Sequence, residues 1–140
     1  MVSLLADDPL GQERENPQDD PLPKRYFEAF QAIDQDPNNR LLIAESEGRV
    51  AGFLQLTFIP YLTYRGRWRA MIESVRVNRS LRGRGVGRTL VEHAVSLARE
   101  QGCHVVQLTT DKRRPKALRF YESLGFRASH EGLKLHISKQ

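Results

Sequence analysis

Between Arg82 and Arg88 the chain reads Arg-Gly-Arg-Gly-Val-Gly-Arg, with glycines and cations alternating. Gly83, Gly85 and Gly87 lack a Cβ, so oxygen atoms can approach the main chain and φ can turn positive. The segment lies between the end of an apolar strand pattern and the start of a helical one. A helix start leaves backbone N–H groups without intrahelical partners and carries the positive end of the helix dipole. Such a turn can grip a phosphate, and Arg82, Arg84 and Arg88 add charge beside it. The dipole alone contributes only about 0.3–2 kcal/mol toward an anion, so affinity must come from several amides, the arginines and buried apolar contact together. Two familiar phosphate loops do not fit. A Walker A loop requires Gly-Lys-Ser/Thr, which is absent, and a dinucleotide fingerprint spaces its glycines G-x-G-x-x-G, whereas this spacing is G-x-G-x-G. Taken alone, the segment is also compatible with a Gly-rich connection carrying solvated arginines.

Other residue types narrow the chemistry. Glu73 is the only acid between Thr57 and Arg88. Tyr121 follows Phe120 in an aromatic-rich helical pattern. His93, His104, His130 and His136 lack metal-ligand spacing, and the single Cys103 supplies no zinc cluster, so no metal is expected. Cys103 precedes an apolar strand and reads as a small apolar filler.

These residues need elements to hold them. Residues 7–23 are rich in acids, Pro, Gly and Asn and read as a loop. Met1 to Ala6 resembles a helix end. Pro23 opens a stretch in which Phe27, Phe30 and Ile33 recur at helical spacing up to Asp36-Pro37. Leu41 to Ser46 and Val50 to Ile59 flank a Glu47-Gly48-Arg49 turn and predict a β-hairpin. Trp68 to Val77 predicts a strand whose alternation slips as a bulge would make it. Leu90, Val91, Ala94, Leu97 and Ala98 form the apolar stripe of a helix that stops at Gly102. His104 to Thr110 predicts the next strand, Pro115 to Gly125 another helix, and Phe126 to Ile137 two short strands. That order fits an α+β (mixed α/β) sheet with a helix on each face.

At 140 residues the chain is the size of one domain, taken as 1–140. It is 39% hydrophobic and 28% charged, as suits a globular protein. No apolar run approaches the roughly 20 residues of a membrane helix, and the first residues lack the basic and apolar regions of a secretory signal. With one cysteine and no internal disulfide, a cytoplasmic setting is expected. Residues 1–50 hold five Lys/Arg against eleven Asp/Glu, or −6, while residues 51–140 hold seventeen against six, or +11. The second half therefore wants an anionic partner, either nucleic acid or a phosphorylated cofactor.

The sequence resembles the GNAT superfamily of acetyl-coenzyme A-dependent N-acetyltransferases. Arg82-Gly83-Arg84-Gly85-Val86-Gly87 matches the family's Gln/Arg-x-x-Gly-x-Gly/Ala signature. Ala117 to Phe126, ALRFYESLGF, independently resembles the family's A-x-x-F-Y-x-x-x-G-F segment. Together the similarity covers most of residues 40–137. It implies the acyl-CoA N-acyltransferase fold, with a central, mostly antiparallel mixed sheet, and acetyl-CoA as acetyl donor to an amine by direct attack. It further implies a splay between the strand ending near Val77 and the one beginning near His104. Main-chain groups around Val75, Arg76 and Val77 would hydrogen-bond the pantetheine arm there, with the pyrophosphate on Arg82 to Arg88. Coenzyme A then accounts for the basic half without nucleic acid.

By the same resemblance Glu73 is the base that deprotonates the amine, and Tyr121 donates to the departing thiolate. A base is useful because an ammonium of pKa near 10.4 costs about 4–5 kcal/mol to deprotonate at pH 7. Pairing with Arg69, Arg76 or another nearby cation is the alternative role for Glu73, and core packing with Phe120 the alternative for Tyr121. Two departures stand out. Arg114 occupies a position where many relatives have Asn, and could bind phosphate or be solvated. The usual first strand is missing, which leaves a sheet edge that a homodimer or a rearranged N-terminal segment would cover. The acceptor is expected to be a small-molecule or peptide amine. A non-catalytic acetyl-CoA sensor and a basic nucleic-acid-binding module are the competing readings.

Overall fold

The computed structural model describes residues 1–7, 15 and 22–138. The predicted 7–23 loop therefore falls outside the described residues, apart from Asp7, Glu15, Leu22 and Pro23.

A single turn of helix, α1 (Val2–Leu5), precedes α2 (Lys24–Gln35), which begins after Pro23 and ends at Asp36 as the sequence predicts. Asp36 ends it by accepting from the Asn38 N–H at 2.8 Å and from Asn39 Nδ2 at 2.7 Å. The hairpin follows as β1 (Asn39–Ser46) and β2 (Arg49–Ile59). Glu47 and Gly48 both take positive φ, 52° and 74°, the two-residue turn whose twist matches paired strands.

β3 (Arg69–Val77) lies antiparallel to β2. The register jumps from Phe53↔Arg76 to Gln55↔Glu73, so Ser74 and Val75 together face the single residue Leu54. This is the predicted bulge, and Ser74 absorbs it at φ 57°. α3 (Val86–Glu100) then crosses to β4 (Val105–Gln107), which pairs parallel with β3 over Arg69–Met71, and α4 (Pro115–Ser123) follows. The sheet order is β1-β2-β3-β4, mixed and mostly antiparallel, as the sequence predicts.

One face of β2 and β3 supplies Leu54, Leu56, Phe58, Ala70 and Ile72 to the core, where they meet Leu90, Val91, Ala94 and Ala98 of α3. The stripe read from the sequence is therefore the buried face of that helix, except that Leu97 is only partly buried. Phe120, Tyr121, Leu124 and Phe126 pack against the margin of the same core. On β2, Ala51 and Phe53 are buried outside that cluster, as are Leu4 and Ala6 near α1, which touches β3.

Two expectations need correction. The strand from His104 to Thr110 is paired only at Val105–Gln107. Residues 126–138 hold neither of the two expected strands, and Leu133, Leu135 and Ile137 stand 93%, 89% and 97% exposed. A strand forms only where a neighbouring strand takes its N–H and C=O groups; among the described residues the main-chain bonds there are local, from the Phe126 N–H to the Tyr121 carbonyl and from the Ser129 N–H to the Arg127 carbonyl. β1 is an edge strand, as the missing first strand implies; α2 lies against it, and Ile43 is 45% exposed.

Candidate active site

β3 and β4 stay paired only as far as Met71↔Gln107. Beyond that point the bulge at Ser74 and Val75 turns β3, and the two strands part. The gap is a cleft of about 60 Å³ lined by Ile72 to Arg76, Leu108 to Thr110, Arg114 and Tyr121. Five predicted site residues, Glu73, Val75, Arg76, Arg114 and Tyr121, thus meet in one place.

Glu73 is solvent-exposed and has no ion pair among the described residues, so the pairing with Arg69 or Arg76 offered as its alternative role is not seen. Arg76 donates to the Val75 carbonyl at 2.8 Å, occupying one main-chain acceptor of the parted strand. Tyr121 sits in an aromatic group, edge-on to Phe120 at 5.1 Å and to Phe126 at 5.9 Å. Core packing and a place in the cleft are therefore compatible for this residue. Burial pushes the Tyr121 hydroxyl above its ordinary pKa, partly offset by the nearby Arg114 and Arg76 guanidiniums. The phenol consequently stays protonated at neutral pH.

The remaining predicted residues form a second group at the start of α3. The helix opens at Gly85 (φ 83°), and its first return bond runs from the Thr89 N–H to the Gly85 carbonyl at 3.0 Å. The N–H groups of Val86, Gly87 and Arg88 therefore point out of the helix end. Gly83 (φ 81°) and Gly85 adopt the left-handed backbone that glycine favours, and a Cβ at either would meet nothing within 4 Å, so the turn has open space above it. Gly87 differs from both: its φ is not positive, and a Cβ there would make ordinary contact with Phe120 at 3.4 Å and Val77 at 3.5 Å, so it lies where α3 meets α4 and β3. Val77 accordingly sits beneath the helix start, outside the residues lining the cleft.

The arginines of this turn are not equivalent. Arg88 pairs with Glu92 at 3.2 Å, one helical turn on. Arg82 donates to the Asp7 carbonyl at 3.0 Å and lies 3.8 Å from its carboxylate, which also pairs with Arg79 at 3.2 Å. Arg84 makes no ion pair among the described residues. Arg114 stands just before α4 without a side-chain capping bond, and it lines the cleft. In the Asp111 to Arg113 stretch just before it, Arg113 is tied to Asp111 at 2.8 and 3.0 Å.

Sequence reasoning missed Asp7, Gly52 and the threonines. Asp7 acts across 75 residues of separation, and no local pattern signals that. Gly52 was legible, because an isolated glycine inside an apolar strand marks close backbone approach. A Cβ there would lie 2.7 Å from the Arg76 carbonyl and 3.2 and 3.3 Å from Leu90 and Val86. Thr109 and Thr110 line the cleft with Glu73, and the Thr110 hydroxyl is buried without a hydrogen-bond partner among the described residues. No cluster of metal-binding side chains and no helix long and apolar enough to cross a membrane occurs among the described residues.

Known proteins resemble this chain in sequence and in fold. The model of the acetyltransferase (GNAT) family matches residues 5–126. A glucosamine 6-phosphate N-acetyltransferase from Trypanosoma brucei brucei is 38% identical over 90 residues, covering 64% of this chain and 59% of that protein. The chain thus spans less than two thirds of that relative. An aminoalkylphosphonate N-acetyltransferase from Salmonella typhimurium is 30% identical over 105 residues, covering 75% of this chain and 68% of the relative. Among solved structures, a transcriptional regulator from Bacillus halodurans C-125 superposes with a TM-score of 0.94 at 56% identity, covering 98% of this chain and 91% of that one.

Proposed function

Because this chain belongs to the acetyltransferase (GNAT) family, we propose that it transfers the acetyl group of acetyl-CoA to a primary amine by direct attack in a ternary complex. The observation that carries the reading is the pairing of two features. A helix start offers unpartnered N–H groups beneath open space, and a cleft between parted strands gathers Glu73 and Tyr121. A diphosphate fits the first and a slender amide-bearing chain the second.

Acetyl-CoA supplies an acetyl group activated as a thioester. The N–H groups of Val86, Gly87 and Arg88 and the Arg84 guanidinium hold the diphosphate, with Gly83 and Gly85 permitting its close approach. Main-chain groups of Val75 and Arg76 face the gap where β4 has departed. Glu73 takes the proton from the acceptor ammonium, directly or through water, since an amine attacks only when neutral. Tyr121, held protonated by burial, donates to the departing sulfur. Arg114, beside Tyr121, adds positive charge as the thiolate develops.

The acceptor is an amine of a small molecule or a protein. The names of the trypanosomal and Salmonella relatives, both N-acetyltransferases of small amines, favour the former. A second reading, binding of acetyl-CoA without turnover, draws on the Bacillus halodurans protein described as a transcriptional regulator. Thiol release from acetyl-CoA across an amine library separates the two. Release with at least one amine supports the enzyme, and its absence alongside cofactor binding supports the sensor.

A further inference from the structure

On β3, Ala70 and Ile72 face the core and α3, so by alternation Arg69, Met71 and Glu73 face the other side of the sheet. Their cross-strand neighbours share that side: Gln55 lies opposite Glu73, Thr57 opposite Met71, and Gln107 of β4 reaches the Met71 sulfur at 4.0 Å. Glu73 therefore stands at one end of a polar floor whose other end is Arg69. Gln55, Thr57, Met71, Gln107 and Arg69 are all half-buried, neither core nor freely solvated.

Arg69 is held firmly in place. Its guanidinium lies over the Tyr61 ring, 4.4 Å from the centroid, and a 2.8 Å hydrogen bond links the Tyr61 hydroxyl to His104 Nε2. Tyr64 completes the group at 4.8 Å from the His104 ring, delivered by a turn in which Tyr64 and Arg65 take φ of 54° and 63°. L-residues resist that left-handed backbone, and it persists only where the surroundings impose it. Yet nothing answers the charge so positioned. Arg69 makes no ion pair among the described residues, and its one hydrogen bond to Gln107 is long, at 3.5 Å. Its Nε and the neighbouring His104 Nδ1 are both buried without a hydrogen-bond partner among the described residues. A cation partly withdrawn from water is costly unless an anion meets it.

Given acetyl transfer to an amine at Glu73, we propose that Arg69 binds an anionic group of the acceptor, so that the substrate is a small amine carrying a carboxylate or a phosphate. Arg69 and Glu73 are four residues apart on one strand, or about 13 Å at the backbone. Two long side chains on the same face close part of that distance, which leaves a span suited to a small molecule. The planar guanidinium matches two oxygens of either anion. A zwitterion meets opposite charge at both ends of the floor, its ammonium at Glu73 and its anion at Arg69. A diamine would set a cation against Arg69, and a neutral amine would leave the guanidinium unanswered.

Thiol release from acetyl-CoA with matched acceptors tests this, using ω-aminocarboxylates and ω-aminoalkyl phosphates of graded length against the corresponding amides and diamines. In the parent, at least one anionic acceptor should exceed its neutral counterpart in kcat/KM by about tenfold or more, mainly through KM. Which anion shows the larger ratio identifies the group that Arg69 takes. Arg69→Gln should bring the ratio close to one, and Arg69→Lys should restore part of it. Unchanged coenzyme A affinity in both variants keeps misfolding from mimicking that result. A parent that prefers diamines or neutral amines overturns the proposal while leaving acetyl transfer standing, and so does an anion preference that survives Arg69→Gln. If no amine releases thiol, acetyl transfer itself fails, and calorimetry of the coenzyme A-loaded protein with the same compounds decides the role of Arg69. Anion-selective binding lost in Arg69→Gln upholds it, and the absence of such binding overturns it.

Discussion

Asp7 grips Arg82: the guanidinium donates to the Asp7 main-chain carbonyl at 3.0 Å while its carboxylate stands 3.8 Å away and pairs with Arg79 at 3.2 Å. The N-terminal segment thus places a negative charge beside the turn proposed to hold a diphosphate. Both arginines are roughly half exposed or more, so the pairs are weak surface interactions. Asp7→Ala keeps the main-chain carbonyl that Arg82 donates to but removes the carboxylate charge beside the turn, and coenzyme A should bind about two- to five-fold more tightly, with a steeper salt dependence. Titration calorimetry at two ionic strengths checks this. Weaker binding would mean that Asp7 positions Arg82 for the ligand.

Glu73 lines the cleft and makes no ion pair among the described residues, which leaves its carboxylate open to an acceptor ammonium. Glu73→Gln should lower kcat/KM most at low pH, where the acceptor is almost wholly protonated. The deficit should shrink as pH rises, because the neutral amine fraction grows tenfold per pH unit until its pKa. A pH-rate profile parallel to the parent's would take Glu73 out of the proton transfer.

Tyr121 tests the other proton. Removing the hydroxyl with Tyr121→Phe keeps the ring contacts to Phe120 and Phe126, so coenzyme A affinity should hold while kcat falls by about 10²-fold or more. Its pKa is raised by burial, so the protonated form persists past the ordinary value near 10, and the alkaline loss of activity should begin above it. That alkaline limb should vanish in Tyr121→Phe. Full activity in the variant contradicts the donor role.

Gly52 fixes how closely α3 approaches the sheet. Gly52→Ala forces a Cβ to within 2.7 Å of the Arg76 carbonyl, a main-chain atom that cannot swing aside. Stability should fall by about 1–3 kcal/mol, as for an overpacked core, and coenzyme A affinity should fall with it because Arg76 and Val86 move. Urea unfolding measures the first effect. An unchanged midpoint would show that the strand and helix shift freely.

Wherever a segment's own pattern decided its structure, the sequence was readable. The α3 stripe, the Glu47-Gly48 turn, the Pro23 and Asp36 limits of α2 and the β3 bulge all follow from spacing and residue type within one element. The glycines between Arg82 and Arg88 were legible as a turn, although only Gly83 and Gly85 take the left-handed backbone and Gly87 does not. What stayed hidden depends on distant partners. The contact of Asp7 with Arg82 spans 75 residues, and Leu133 to Ile137 has the alternation of a strand but no strand beside it among the described residues. Arg114 could not be located because its position depends on how α4 docks against the cleft.

The central claim is that the unpartnered amides at the start of α3 bind a diphosphate whose attached arm reaches Tyr121. Calorimetry of the purified protein with coenzyme A and acetyl-CoA tests it most directly, with Gly85→Ala as the paired variant. That substitution strains a backbone at φ 83° that L-residues resist by about 1–2 kcal/mol, and it crowds the open space above the turn. Saturable heat with one molecule bound per chain, weakened in the variant, is the predicted result. No heat of association with either form of coenzyme A would contradict the account.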